Sequence, residues 1–482
     1  MDKHDNFIGG EFVSARDYRI NTNPSDFEDR IGEYAEAESS DVDAAIEAAH
    51  RALPAWSSGP LVQRSQALQR IGAGITARET ELADMLAREE GKTLAEALGE
   101  VRRAAATFGY YAGQILNPVG EVYGGLNSGM TIETMRRPVG VVGIIAPWNF
   151  PIAIPAWKTA PALAFGNTVV LKPADLVPGT AWLLTEIIAE AGLADGVFNL
   201  VMGRGSVVGQ RITESPLVRA VSFTGSTAVG RGVAATAVAN GLKRVQLEMG
   251  GENPLVVMDD ADLDVAVAAA LDGAFGSTGQ RCTASSRLVV HAGVHDRFVE
   301  MLLDGMSRIR PGDARDPHTT MGPVVSEAQI QTDLDYIAIG SAEGATLVRG
   351  GERIDTGRQG NFLSPALFLG ATPDMRISQE EIFGPVAAVI KVSDYEEGLS
   401  VANGVEYGLS SGICTTSLAR ARDFAARSRS GIITINKSTA STDFHVPFGG
   451  TKASSYGGRE QGTAAKEFFT ELSTVYTVAG DA

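Results

Sequence analysis

The chain has 482 residues and a mass of 50.6 kDa, enough for about three lobes with large cores at ~150 residues per domain. Hydrophobic residues make up 44% and charged residues 21%, a balance that excludes disorder for most of the chain. Lys and Arg total 41 against 58 Asp and Glu; the net charge of −17, with no basic run, argues against nucleic acid as a partner.

In chain order, Met1 to Asn6 lacks the apolar core of a secretory signal, and the two cysteines, Cys282 and Cys414, cannot form a disulfide framework. A reducing compartment, the cytoplasm, is the expected location. The first 120 residues carry helical periodicity, as in Ser40–Ala55 and Val62–Glu90. Gly120–Arg137 reads as a two-stranded arm around a Gly-Gly-Leu-Asn-Ser-Gly turn. The apolar stretch Val139–Leu171 is broken by Pro147, Pro151, Pro155 and Pro161 and carries Asn149 and Lys158. It therefore reads as buried strands and turns and not as a membrane span.

From Pro138 the pattern alternates. Val139–Ile145, Thr168–Lys172, Val197–Met202, Ala220–Phe223 and Arg244–Glu248 read as strands. Between them Ala156–Phe165, Ala181–Ala191, Ser206–Thr213 and Ala228–Val238 read as helices. Buried β-branched strands alternating with helices predict an α/β fold with a parallel, doubly wound sheet. A second α/β block runs from about Gly251 to Asn436, with helices at Leu263–Phe275 and Asp296–Ile309 and a strand at Arg287–His291. Glu471–Val478 reads as a lone strand. A solitary hairpin and a solitary strand are rarely stable alone, so both are expected to complete sheets in a partner subunit, and a homo-oligomer is predicted.

A doubly wound sheet places ligands at the carboxyl ends of its strands. Three turns there are polar or Gly-rich: Ala146-Pro147-Trp148-Asn149-Phe150-Pro151, Lys172-Pro173-Ala174-Asp175, and Thr224-Gly225-Ser226-Thr227-Ala228-Val229-Gly230. The last opens a helix and offers amides to a phosphate, although it is not the G-x-G-x-x-G fingerprint and glycines are mostly turn residues. Cys282, in Gly279-Gln280-Arg281-Cys282-Thr283, reads by default as a packing cysteine. Its neighbour Arg281 and the Gly/Thr/Gln loop favour a thiolate-forming site instead. Cys414 has apolar strand company and reads as structural. Glu248, at a strand end before Gly250 and Gly251, reads equally as a base or as a solvated turn acid. No G-x-S-x-G, H-E-x-x-H or G-x-x-x-x-G-K-[ST] is present, so serine-hydrolase, zinc and P-loop chemistries are not indicated, and no metal is expected.

Together these segments, with Glu381-Ile382-Phe383-Gly384-Pro385 and Pro447-Phe448-Gly449-Gly450, resemble the aldehyde dehydrogenase superfamily over nearly the whole chain and in the same order. The resemblance implies a Rossmann-type cofactor domain (1–119 with 138–250), an α/β catalytic domain (251–436), and an oligomerisation arm and C-terminal strand (120–137 with 459–482). It implies Cys282 as the nucleophile, Asn149 with the Cys282 amide as the oxyanion hole, and Glu248 as the base that hydrolyses a thioester. Ala146, Pro147, Trp148, Lys172, Asp175, Gly225, Ser226, Gly230, Gly250, Glu381 and Phe383 are the implied cofactor contacts. An acid at Asp175 favours NAD, and its short side chain leaves room for NADP. The assembly implied is a homodimer or homotetramer. Glu252 stands where lysine is frequent and Ser455 where glycine is usual; neither is expected to touch the chemistry.

The resemblance places Arg103, Ala153, Ile154, Trp157, Arg281, Thr283, Phe444 and Phe448 around the aldehyde. Arg281 beside the nucleophile suggests an anionic group on the substrate. Arg102 and Arg103 fall near the tunnel mouth, with surface salt bridges as the plainer reading for both. Arginines usual in succinic semialdehyde dehydrogenases are replaced by Trp157 and Gly276. Gly279–Arg287 with Phe444–Gly450 is most similar to bacterial α-ketoglutarate semialdehyde (2,5-dioxovalerate) dehydrogenases. Neutral aldehydes, succinic semialdehyde and sulfonated or phosphorylated three-carbon aldehydes stay open as alternatives. A coenzyme-A-acylating enzyme would not need Glu248, and a silent structural relative would not keep Cys282, Asn149 and Glu248 together.

Overall fold

The computed structural model describes residues 2–117 and 120–478; the expected domain ends at 1, 118–119 and 479–482 lie outside them. Two sheets organise these residues. The first has eight strands in the order Ser455–Tyr456, Arg244–Glu248, Val218–Thr224, Val141–Ile145, Thr168–Lys172, Phe198–Leu200, Asn6–Ile8 and Glu11–Val13. Its five inner strands are parallel and their central residues are buried on both faces, as helices on each side of a βαβ sheet require. The chain order reverses between Val141–Ile145 and Val218–Thr224, so the turns after those two strands flank the crevice of a topological switch point.

One face of this sheet is covered by helices Leu61–Ala77, Glu79–Glu90, Leu94–Gln114, Ala153–Ala164 and Pro178–Glu190, the other by Ser39–Ser58, Gln210–Glu214 and Thr227–Ala239. All twelve residues of Ala153–Ala164 are buried, which accounts for the apolar stretch Val139–Leu171 as strand, helix and strand. Among the described residues no helix is long and apolar enough to cross a membrane.

The second sheet has seven strands in the order Thr346–Arg349, Ala366–Leu369, Val386–Val392, Arg287–His291, Pro254–Val257, Ser410–Cys414 and Ile432–Ile435. Six are parallel, and Thr346–Arg349 is an antiparallel edge. Helices Leu263–Phe275 and His295–Met306 pack on one face, and Glu327–Ala342, Tyr395–Asn403 and Leu418–Arg427 on the other.

Three expectations differ from the structure. Helical periodicity does not hold at the start, where Lys3–His4, Asn6–Ile8, Glu11–Val13, Asp17–Asn23 and Asp26–Glu36 are strands. Asp17–Asn23 and Asp26–Glu36 form a hairpin around Pro24-Ser25, and their many charged, half-exposed positions weaken the alternating apolar signal. Val62–Glu90 is two helices, because Arg78 leaves helical geometry. The arm and the C-terminal strand pair within one chain: Thr470–Val478 runs antiparallel along the whole of Met130–Pro138, with Val122–Gly124 on the other side. Residues Ala465, Phe468 and Phe469, just before that strand, belong to the first core.

Candidate active site

Glu248 ends its strand at the mouth of the first sheet, and the chain passes through Met249–Asn253 into Pro254–Val257 of the second. Cys282 sits opposite, in the loop that follows helix Leu263–Phe275. Ser277, Thr278 and Gly279 all take positive φ there, a left-handed turn that L side chains adopt only under constraint. A Cβ on Gly279 would collide with the Gly384 carbonyl, so this turn needs glycine. Asn253 Nδ2 then holds the Cys282 and Ala284 carbonyls, at 2.9 Å each, which fixes the loop behind the thiol.

Asn149 follows strand Val141–Ile145 and is buried. Its Nδ2 donates to the Gln280 carbonyl at 3.0 Å, two residues before Cys282, which leaves a second amide hydrogen for a ligand. Its own carbonyl accepts from Lys92 Nζ at 2.5 Å. Lys92 pairs with Glu100 Oε2 at 2.7 Å and lies over the Phe150 ring. Glu100 Oε1 in turn accepts from the Ile152 and Ala153 amides, capping helix Ala153–Ala164. One buried ion pair thus sets the turn that carries Asn149. No sequence motif marks Lys92 and Glu100; only the packing of two helices brings them there.

Burial, then the carboxylates of Glu381, Glu248 and Glu460, push the Cys282 thiol up. Burial and the nearby Glu460 likewise raise Glu248 well above the usual carboxylate range, opposed by Ser455, Lys158 and Arg459. Glu460 is itself held by Trp157 Nε1 at 2.7 Å and by an ion pair with Lys158, whose Nζ also donates to Ser222 Oγ at 2.8 Å. Ser455, expected to be remote, touches this site directly: its Oγ donates to Glu248 Oε2 at 2.5 Å. The sequence showed the unusual serine, but its partner is 207 residues away.

Arg281 does not do what was expected of it. Its guanidinium turns to Glu96 at 3.5 Å and Asp272 at 3.4 Å, and its Nε donates to Ser277 Oγ at 3.1 Å. Its charge is answered within the protein, so neither a thiolate nor a substrate anion is needed to explain it. Arg102 and Arg103, adjacent in sequence, part company. Arg102 makes an exposed ion pair with Glu79, whereas Arg103 turns inward. Arg103 Nη1 donates to Thr442 O at 3.0 Å and Thr442 Oγ1 at 2.9 Å, and its Nη2 to Gln461 Oε1 at 3.1 Å. All three acceptors are neutral. Arg103 Nε and Gln461 Nε2 are buried and, among the described residues, have no partner. Burial lowers the Arg103 pKa, opposed by Glu100, Asp443 and the Cys282 thiol. Gln461 had no signal in the sequence.

Around Arg103 stand apolar walls. Its guanidinium lies 5.4 Å from the Trp157 ring centre, Trp157 packs 5.5 Å from Phe448, and Phe444 meets Tyr110 edge-on at 5.9 Å. Ala153 and Ile154 are buried beside Trp157 on one helix, and the Thr283 carbonyl accepts from Thr439 Oγ1 at 2.7 Å.

At the switch point, Ser226 caps the 13-residue helix Thr227–Ala239. The Gly225 amide is taken by the Glu248 carbonyl at 3.1 Å and the Gly230 amide by the Ser226 carbonyl at 2.9 Å. The two glycine amides are thus occupied within the turn, and the Thr227 and Ala228 amides of the first turn are what an anion would meet. Thr224 Oγ1, just before that turn, is buried without a hydrogen-bond partner among the described residues. On the far side, Lys172 pairs with Asp175, Arg19 lies 3.8 Å from Asp175 and 2.6 Å from Glu36, and Arg204 lies 3.2 Å from Glu36. The Ala146 amide bonds the Lys172 carbonyl at 2.9 Å, joining the two turns. Trp148 meets Phe383 edge-on at 5.2 Å. Glu381 Oε1 accepts from the Gly251 amide at 2.8 Å, and burial raises its carboxyl to about 7; a side chain at Gly250 would strike it. An orphaned hydroxyl, an open helix N-terminus and a mixed-charge ribose pocket at a switch point fit a dinucleotide.

The Aldehyde dehydrogenase family matches residues 12–475. The chain is 45% identical to the alpha-ketoglutaric semialdehyde dehydrogenase of Bacillus subtilis (strain 168), over 98% of this chain and 97% of that one. Among solved structures it resembles an NADP-dependent enzyme of E. coli, with TM-score 0.96, 36% identity and coverage of 99% and 98% of the two chains. It also resembles an NAD-dependent aldehyde dehydrogenase from Sinorhizobium meliloti, with TM-score 0.97, 36% identity and coverage of 100% and 96%.

Proposed function

The chain belongs to the aldehyde dehydrogenase family, and we propose that it oxidises a short aldehyde bearing a carboxylate, best matched by 2,5-dioxovalerate (α-ketoglutarate semialdehyde). NAD(P)-dependent aldehyde oxidation is the chemistry of the family. The observation that carries the substrate is Arg103: an inward cation bonded only to neutral acceptors, with a free Nε beside a free Gln461 amide. Two unused buried donors, one of them charged, suit the two oxygens of a carboxylate. A neutral aldehyde would leave both unpaired.

In this reading Cys282 attacks as a thiolate, its proton having passed to solvent, and Sγ forms a bond to the aldehyde carbon. The carbonyl electron pair moves to oxygen, where Asn149 Nδ2 and the Cys282 amide receive it. The chemistry a bound nicotinamide dinucleotide supplies is acceptance of the hydride that leaves the thiohemiacetal carbon. A thioester remains on Cys282. Glu248 then takes a proton from water as the water oxygen bonds to the acyl carbon; the carbon–sulfur bond breaks, and the acid leaves.

For the cofactor we infer NAD, with Asp175 accepting from the ribose 2′-hydroxyl, and NADP as a second cofactor. Arg19, Lys172 and Arg204 against Asp175 and Glu36 support tolerance of a 2′-phosphate. We place the enzyme in the cytoplasm as a homodimer or homotetramer, a reading supported by two free cysteines and by Val122, Tyr123, Leu472, Tyr476 and Val478 exposed on the three-stranded arm. The test of the substrate is kcat/KM for 2,5-dioxovalerate against pentanal, with NAD and NADP each in excess. A ratio of about 30- to 5,000-fold supports the charge pair, and a ratio near one overturns the substrate while leaving the family intact.

A further inference from the structure

We propose that Ser455 is a positioning residue that aims Glu248 at the acyl-enzyme for thioester hydrolysis by donating to its Oε2, which rests on Glu248 being the base of that step. Ser455 opens the two-residue strand Ser455–Tyr456, which pairs antiparallel with the end of Arg244–Glu248 so that Ser455 lies directly across from Glu248. Its Oγ accepts from the Gly450 amide at 2.6 Å and donates to Glu248 Oε2 at 2.5 Å. Because the Gly450 amide can only donate, the hydroxyl proton is directed at the carboxylate and not shared between two orientations. The other oxygen, Oε1, lies against Gly449, where a Cβ would stand 2.7 Å away. The Met249 amide bonds the Ser454 carbonyl at 2.7 Å, and the Gly408 amide bonds Ser454 Oγ at 3.0 Å, so the turn carrying Ser455 is anchored from both sides.

The charged groups facing Glu248 are Glu460, which opposes its ionisation, Lys158 and Arg459, which favour it, and the Cys282 thiol. Glycine at residue 455, as the family resemblance leads one to expect, would supply no donor to Oε2. Here the serine offsets part of what burial and Glu460 impose, and it fixes the rotamer from which Glu248 acts.

The test follows decay of the acyl-enzyme, formed with NAD and 2,5-dioxovalerate, across the neutral pH range in wild type, Ser455→Gly, Ser455→Ala and Ser455→Thr. The expected result is an apparent pKa of the ascending limb raised by about one unit in the Gly and Ala variants, with decay at neutral pH slowed about tenfold. The burst of reduced cofactor and the aldehyde KM should be preserved, and Ser455→Thr should restore the wild-type limb. An unshifted limb in Ser455→Gly, or a uniform loss at all pH values, overturns the role of Ser455. Glu248→Gln separates the two ideas. A burst without steady turnover in that variant upholds the base, so an unshifted Ser455→Gly then condemns the serine alone; steady turnover in Glu248→Gln removes the base itself.

Discussion

Replacing Arg103 with Met tests the substrate assignment most directly. The thioether fills the space of the aliphatic stem while the guanidinium, which lies 5.4 Å from the Trp157 ring centre, and its charge are lost. In the free enzyme the substitution removes three hydrogen bonds to neutral acceptors, at ~1 kcal/mol each, and relieves a cation that burial disfavours, so the fold should survive. With substrate bound the loss is larger, because the incoming carboxylate is then desolvated without a partner. Truncating one side of such a pair costs about 2–5 kcal/mol, or roughly 30- to 5,000-fold in kcat/KM. The assay is the rate of cofactor reduction with 2,5-dioxovalerate and with pentanal, alongside a thermal melt. The expected outcome is a loss in that range for the semialdehyde and a few-fold change at most for pentanal. Arg103→Lys should fall between, since an ammonium lacks the planar fork. Equal losses for both aldehydes would make Arg103 a structural residue, and no loss for either would remove it from the substrate site.

Cys282→Ala should abolish turnover and leave NAD binding intact by calorimetric titration; substantial residual turnover would dismiss the nucleophile. Arg281→Gln should leave the ratio of semialdehyde to pentanal activity unchanged, because Glu96 and Asp272 already hold that guanidinium; a collapse of the ratio would return Arg281 to the substrate site. Glu252 is buried, with Oε2 unpartnered among the described residues, and burial raises its pKa from 4.5 to about 8. The unfolded chain ionises first, so Glu252 lowers stability as pH rises from about 4.5 to 8 and has no such effect below both values. Glu252→Gln should therefore raise Tm above pH 8 and change it little below pH 4.5, and a Tm gain of equal size at both extremes would refute the titration.

Local signals in the sequence determined the parallel strands of the first sheet and helix Leu263–Phe275, because buried strands leave short, contiguous marks; Cys282, Asn149 and Glu248 took their expected roles from the order of motifs that resembles the aldehyde dehydrogenase superfamily. The same logic failed at Asp17–Glu36, whose hairpin is half-exposed and heavily charged, and at Thr470–Val478, whose pairing partner is more than three hundred residues away. Side-chain direction was beyond it altogether. Arg102 and Arg103 are neighbours with the same chemistry, yet one helix face gives the first to solvent and Glu79 and the second to Thr442 and Gln461. Arg281 stands next to the candidate nucleophile in sequence and points away from it in space, toward a carboxylate on another helix. Ser455 was visible as a departure, but its contact with Glu248 exists only because the last strand of the first sheet is borrowed from the far end of the chain. Residue type and local period are written within a few turns of backbone; partners are decided by which elements the tertiary fold sets side by side.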